Sequence, residues 1–388
     1  MTYDISTIGE GQIRLTCYKG ERLINAQQLR ATAACSEANV SGLLSQLGRS
    51  TCWASVMPKG DLTDRVVNEF RSVGVDVSHI CMKPEGRVAL YFMEPGEYPM
   101  PARVLYDREH TPFRDVTIED LDWEALLDTR LVFVTGITAA LTENTAAVVR
   151  HFVDQAHCRG ITVALDVNYR SLLWGPERAR EVLEPIARMS NIVFCSVRDG
   201  KAVFDIESDG EQACRELREL FGVPTVVSTD QINGVYLSDA ERGERTFPVV
   251  QMPVVDRPGA GDSFVAGTLH GYLGGDVVQG IHYGQRTSAY ALTHYGDLTR
   301  VRPSELNIHP HNDILRCPEH SADRRHTHMS TSTATKQSAL DLIDSRPLTR
   351  NQKNLVALAI VGKISECCDI VLIGCVVSVR TEPCDLPG

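Results

Sequence analysis

The chain has 388 residues, 43% hydrophobic and 23% charged, with a formal net charge of −11 at pH 7. That length supports a large core, and the acidic balance excludes a general nucleic-acid binder, whose contact surface must be basic. The 12 cysteines include no Cys-x-x-Cys pair, which excludes a zinc ribbon or a thioredoxin-type site; without a basic, apolar leader after Met1 the expectation is a cytoplasmic protein with free thiols.

Asp4 to Glu10 predicts a first short strand ending in glycine, and Ile13 to Thr16 a second. Ser36 to Leu47 predicts a helix, because Val40, Leu43, Leu44 and Leu47 recur at helical spacing before Gly48. Thr51 to Met57 follows as a strand and Asp61 to Val73 as a helix with Leu62, Val66, Phe70 and Val73 on one face. This alternation points to an α/β fold with a mainly parallel sheet covered on both sides. Between Ile80 and Arg114 it breaks. Arg87–Met93 and Ala102–Tyr106 predict two inserted strands, a small β lid spanning parts of about residues 10–20 and 80–114; the alternative is a surface hairpin with no role. An exposed strand edge is normally covered, so a homo-oligomer pairing two lids is expected.

Alternation then resumes. Leu131–Thr135 is a strand and Thr142–Arg159 a helix, with Thr142 as N-cap and Gly160 as stop. Ile161–Val167 is a buried strand leading into Asp166-Val167-Asn168-Tyr169-Arg170, and Pro176–Met189 is a helix with proline at its first position. Asn191–Cys195 and Thr225–Ser228 are strands around a helix from Asp209 to Phe221, and Asn233-Gly234 is a hairpin-type turn. Helices Asp262–Tyr272 and Val277–Tyr295 finish a domain spanning residues 1–308.

Phe247 to Val254 predicts a strand broken by prolines, followed by Gly259-Ala260-Gly261-Asp262 at the start of a helix. Successive backbone N–H groups of such a turn, with the partial positive charge of a helix N-terminus, suit the oxygens of a transferring phosphoryl group. Asp262 stands where it could take a proton from an attacking hydroxyl. The plainer alternative is a tight turn with Asp as N-cap.

Residues 309–345 hold His309, His311, His320, His326 and His328 among Ser, Thr and Asp. Their spacing matches no standard ligand pattern, and a solvated, disordered linker is expected. In residues 346–388, Leu355–Val379 is apolar and long enough for a membrane span but carries Lys363, Glu366 and Asp369. This tail resembles the first transmembrane helix of a major-facilitator transporter, which implies a fused remnant and leaves membrane contact open.

The string from Asp256 through Gly259-Ala260-Gly261-Asp262 to Phe264 resembles the Asp-Thr-x-Gly-Ala-Gly-Asp signature of the ribokinase-like (PfkB-type) carbohydrate kinases, with Arg257-Pro258 in place of Thr-x. The resemblance implies a three-layer α/β/α sandwich with a β lid, ATP and Mg²⁺ as cofactors, Asp262 as base, and an anion hole from Gly259, Ala260 and Gly261. Asp166-x-Asn168-x-Arg170 followed by Leu173-Trp174 resembles the 2-keto-3-deoxygluconate kinases within the family. The implied reaction is phosphorylation of a sugar acid, 2-keto-3-deoxygluconate, at its terminal hydroxyl. Arg170 suits a carboxylate because its planar fork can bind both oxygens.

By the same resemblance the substrate side comprises Ala34, Cys35, Asn39, Tyr91, Tyr106, Arg108, Arg170 and Asp262. Ala34-Cys35 stands where the family has two glycines. The nucleotide side comprises Ser196, Ser228, Gly234, Gly259, Gly261 and Gln285. Asp199 falls at the acidic position of the family's Asn-x-x-Glu, which organises Mg²⁺ through its waters. These departures keep two alternatives open: a ribokinase-fold protein that binds sugars without turning them over, and a kinase for another sugar such as fructose.

Overall fold

The structure, a computed structural model, describes residues 1–96 and 99–307. The strands in chain order are β1 (Tyr3–Ile8), β2 (Gln12–Thr16), β3 (Arg30–Ala34), β4 (Thr51–Ala54), β5 (Val56–Pro58), β6 (Cys81–Lys83) and β7 (Ala89–Glu94). They continue as β8 (Arg103–Asp107), β9 (Thr129–Thr135), β10 (Thr162–Asp166), β11 (Ile192–Phe194), β12 (Thr225–Asp230), β13 (Gly234–Asp239) and β14 (Gly243–Phe247).

Strand β9 shows how the layers arise. Leu131 and Phe133 point to one face and Val132 and Val134 to the other, and all four are buried. A strand with apolar residues on both faces must be covered on both. Leu131 and Phe133 join a core with helices Ser36–Gln46, Ala260–Leu273 and Val277–Ala291. Val132 and Val134 join a second core with helices Glu143–Cys158, Pro176–Ala187, Val197–Phe204 and Gly210–Phe221. The sheet between them runs β14-β13-β12-β11-β10-β9-β1-β4, parallel from β12 to β4 and antiparallel at the β13–β14 edge. The fold is thus the expected α/β/α sandwich.

The lid has one strand beyond those expected at about residues 10–20 and 80–114. It is a four-stranded sheet, β3-β2-β7-β8. Strand β3, a short Arg-Ala-Thr-Ala-Ala run, lacks the bulky apolar alternation that marks a strand. One lid face packs Ile13, Ala33 and Val88 against Val66, Val67 and Phe70 of helix Asp61–Arg71. Along β2 the alternation puts Gln12 and Arg14 on the opposite face, toward the sheet's carboxyl end.

Three boundaries differ from expectation. The strand read from Phe247 to Val254 ends at Phe247, because Pro248 and Pro253 cannot donate to a ladder. Thr51–Met57 splits into β4 in the main sheet and β5, which pairs with β6 in a separate ribbon. The last long helix ends at Ala291. The polar linker and apolar tail lie outside the described residues. Among those residues no helix is long and apolar enough to cross a membrane.

Candidate active site

The carboxyl ends of β9, β10, β11 and β12 open onto a cleft of ≈1310 Å³, roofed by the lid and closed on one side by helix Ala260–Leu273. Open α/β sheets bind ligands at this end. The volume exceeds what one drug-sized ligand needs.

Asp262 stands in the first turn of that helix, at the cleft wall. One carboxylate oxygen accepts from Ser36 Oγ at 2.6 Å and the other from Asn39 Nδ2 at 2.7 Å. Burial pushes its carboxyl up to about 6, against the lowering effect of these two donors. Asn39, expected as a sugar contact, therefore holds Asp262. Ser36, which sequence reasoning left unassigned, does the same.

Asp166, at the end of β10, is raised further, to about 8, first by burial and then by the charges of Asp262 and Asp199. Asn168, in the left-handed region at φ 39°, places its Nδ2 3.2 Å from Asp166 and 3.3 Å from Ser36 Oγ. Arg170 lines the same cleft, and its charge acts on both Asp166 and Asp262. Among the described residues, no side chain forms an ion pair or hydrogen bond with its guanidinium.

The glycine turn divides into two roles. At Gly259, with φ +82°, an added Cβ would sit 2.1 Å from the carbonyl oxygen of Asp297, so the fold itself requires glycine there. At Gly261 an added Cβ would meet nothing within 4 Å, so the open space lies on the cleft side. The Ala260 N–H turns back to the Arg257 carbonyl at 3.3 Å and is only weakly available. The N–H groups of Gly259, Gly261 and Asp262 make no hydrogen bond to another described residue. Of the expected Gly259-Ala260-Gly261 trio, the N–H groups of Gly259 and Gly261 are thus without a partner among the described residues, and that of Asp262 joins them.

The lid side holds a buried ion network that sequence reasoning missed. Arg14, 1% exposed, donates to Asp256 at 2.7 Å and to Asp297 at 2.7 Å. Tyr91, expected to face substrate, lines the cleft but gives its hydroxyl to Asp297. An arginine between Ile13 and Leu15 in an apolar strand was the available signal. Tyr106 also lines the cleft, its ring 6.0 Å from that of Tyr91. Arg108 lines it too, but its Nε and one terminal nitrogen donate to a single Glu10 oxygen at 2.8 and 2.6 Å. Thr111 takes the other Glu10 oxygen. Ala34 and Cys35 form part of the wall. Burial holds the Cys35 thiol well above its usual range, and Sγ lies 3.3 Å from Glu37, which is itself anchored by Thr135 and Thr138.

On the expected nucleotide side, Ser196 and Gln285 line the cleft. Ser196 caps helix Val197–Phe204, and Gln285 donates to the Pro248 carbonyl at 2.8 Å. Two of the expected residues stand off the cleft wall. Ser228 is wholly buried in β12 beside Cys214, and Gly234 sits in the hairpin opposite Asp230 with Tyr236 against it; neither lines the cleft. Asp199 lines the cleft at 4% exposure, but its carboxylate accepts from the Tyr169 N–H and from Arg198. Among the described residues no group of three or more His, Cys, Asp or Glu side chains could hold a metal ion. The donor set does not form a protein cage for Mg²⁺.

A family model described as pfkB family carbohydrate kinase matches residues 3–303. A 2-dehydro-3-deoxygalactonokinase of Haloferax volcanii is 33% identical over 309 residues, 79% of this chain and 96% of the relative. A 2-dehydro-3-deoxygluconokinase of Thermoproteus tenax is 27% identical over 273 residues, 69% of this chain and 81% of the relative. The crystal structure of 2-dehydro-3-deoxygluconokinase from Thermotoga maritima has a TM-score of 0.73 and 26% identity, covering 79% of this chain and 98% of that one.

Proposed function

Because the chain belongs to the pfkB family of carbohydrate kinases, we propose that it transfers the terminal phosphoryl group of ATP to the primary hydroxyl of a 2-keto-3-deoxy sugar acid. The observation that carries this reading is the pairing of Asp262, clamped by Ser36 and Asn39, with an unclaimed guanidinium, Arg170, in one cleft. Asp262 takes the proton of the attacking hydroxyl. The N–H groups of Gly259, Gly261 and Asp262 hold the oxygens of the phosphoryl group at the helix N-terminus, where partial positive charge is concentrated. No protein atom lies within 4 Å of where a Cβ on Gly261 would stand, which leaves room there for phosphoryl oxygens. Arg170 receives the substrate carboxylate. Arg108, held by Glu10, stiffens the lid wall that excludes water from the reaction.

Arg170→Met tests the acid assignment. A charge-assisted pair contributes roughly 1.5–3 kcal/mol, against about 0.5–1.5 for a neutral hydrogen bond. The variant loses on the order of tenfold or more in kcat/KM for 2-keto-3-deoxygluconate or its galacto epimer, since 1.4 kcal/mol is about one decade. Fructose and ribose change little. If the wild type prefers a neutral sugar, or both substrate types weaken equally, the acid assignment fails.

Gly261→Ala separates ligand from fold. The new methyl meets no protein atom, so Tm stays within about 2 °C of the wild type. It enters the space assigned to the phosphoryl oxygens, so kcat/KM for ATP falls by roughly tenfold or more. Unchanged ATP kinetics would place the phosphate elsewhere.

A further inference from the structure

Gln12 is the second polar residue on the cleft face of β2, two positions before Arg14. Its side chain is 8% exposed and lines the cleft. The carbonyl oxygen is buried and has no hydrogen-bond partner, and no described residue is hydrogen-bonded to its amide nitrogen. A buried acceptor left unpaired is costly, and native interiors rarely tolerate one without a reason. Arg14, on the same face, has its terminal nitrogens bound on both sides by carboxylates, and only its Nε is left buried without a partner.

The position of Gln12 suggests what it waits for. Across the lid it faces Ala34 on β3 and Ala89 on β7. Ala34 lies two residues before Ser36, which holds Asp262. Ala89 lies two residues before Tyr91. Both neighbours are too small to reach the amide or to fill the space beside it. Gln12 is thus flanked by the strand that leads to Ser36 and the strand that carries Tyr91, and it shares the cleft with Asp262. A chain bound with its terminal hydroxyl at Asp262 would pass its internal hydroxyls across this spot.

We propose that Gln12 is a specificity-determining residue that reads the configuration of an internal hydroxyl, at C4, of the sugar acid. Its oxygen accepts a hydrogen bond from the hydroxyl, while its nitrogen can donate to the same or the adjoining oxygen. This rests on the sugar-acid kinase reading and deepens it. The gluco and galacto forms of a 2-keto-3-deoxy acid differ at C4 alone, so only one of them can turn that hydroxyl toward the amide. A site with a committed polar partner discriminates because the wrong isomer leaves that partner buried and unpaired.

Kinetics of the full chain with both epimers, in the wild type, Gln12→Leu and Gln12→Met, test the proposal. The wild type favours one epimer. Both variants lower kcat/KM for that epimer about tenfold, change the other less than about threefold, and leave KM for ATP unmoved. Free of substrate, both variants unfold at or above the wild-type Tm, because an unpaired buried acceptor has been replaced by an apolar side chain. Their Tm gain on adding the favoured acid is smaller than that of the wild type. Equal loss for both epimers, no change in their ratio, or a lower Tm in both variants would overturn the proposal. If neither acid is a substrate and a neutral sugar is, the acid reading fails on the wild-type data alone. The role of Gln12 is then decided by the same ratio, measured with that sugar and its 4-epimer.

Discussion

Asp262→Asn lowers turnover by ~10²–10⁴ while ATP and sugar affinities stay within a few-fold, the size of effect expected when a general base is lost but its shape is kept. The choice of Asp262 over its neighbour follows from the two environments. Asp166 is pushed up to about 8 by burial and by two nearby carboxylates, whereas Asp262 is pushed only to about 6 because Ser36 and Asn39 hold its charged form. Of the two, Asp262 is therefore the one more readily ionised near neutral pH and Asp166 the one more readily protonated, which separates their roles. The base must be unprotonated to act. In the wild type kcat/KM is therefore flat above the Asp262 value and falls about tenfold per pH unit below it. A pH–rate profile of the wild type and the turnover of Asp262→Asn check this together. A limb near the Asp166 value, or near-normal turnover in the variant, would move the base to Asp166.

Local patterns carried most of the fold and one half of the site. Apolar periodicity and caps placed the long helices: Thr142 does accept from the Thr145 N–H at 3.2 Å, and Gly160 takes the left-handed stop at φ +68°. The glycine turn was visible because Gly259 takes φ +82°, a conformation that favours glycine locally, although the backbone it packs against, at Asp297, is distant in the chain. What stayed hidden depends on residues far apart in the chain. Ser36 and Asp262 are 226 positions apart, Arg14 and Asp297 are 283 apart, and Arg108 and Glu10 are 98 apart. Nothing in a local window distinguishes an arginine held by a glutamate from one free for substrate, which is why Arg108 and Arg170 looked alike. Ser228 shows the converse. Its neighbours Val227 and Thr229 line the cleft, but the nucleotide loop read from Ser228 to Gly234 is part strand here. The ladder pairs Ser228 with Tyr236, and the residue is buried.

Arg14→Met destabilises the protein by about 3–5 kcal/mol, the cost of removing one partner from a buried ion network. The guanidinium is 1% exposed and stands between Asp256 and Asp297, with Tyr91 completing the set through Asp297. Without Arg14 two carboxylates remain buried together. Asp256 would keep only backbone donors, the N–H groups of Gly296 at 3.2 Å and Arg257 at 3.0 Å. Asp297 would keep only the Tyr91 hydroxyl as a side-chain donor. Its carboxyl is already raised by burial against the pull of Arg14, so losing that pull drives it further toward the neutral form. Urea denaturation of the two proteins at one pH measures the loss. Replacing a carboxylate as well should return part of it: Arg14→Met with Asp297→Asn is more stable than Arg14→Met alone, because one uncompensated charge is gone. A loss below about 1 kcal/mol in the single variant, or no recovery in the double, would show that the network does not hold the lid. The same ties reach the chemistry. Asp256 opens the segment that carries Gly259 to Asp262, Gly259 packs on the Asp297 carbonyl, and Arg14 lies on the lid strand with Gln12. Arg14 thus fixes the lid to the turn that carries the base, so turnover should fall along with stability in Arg14→Met.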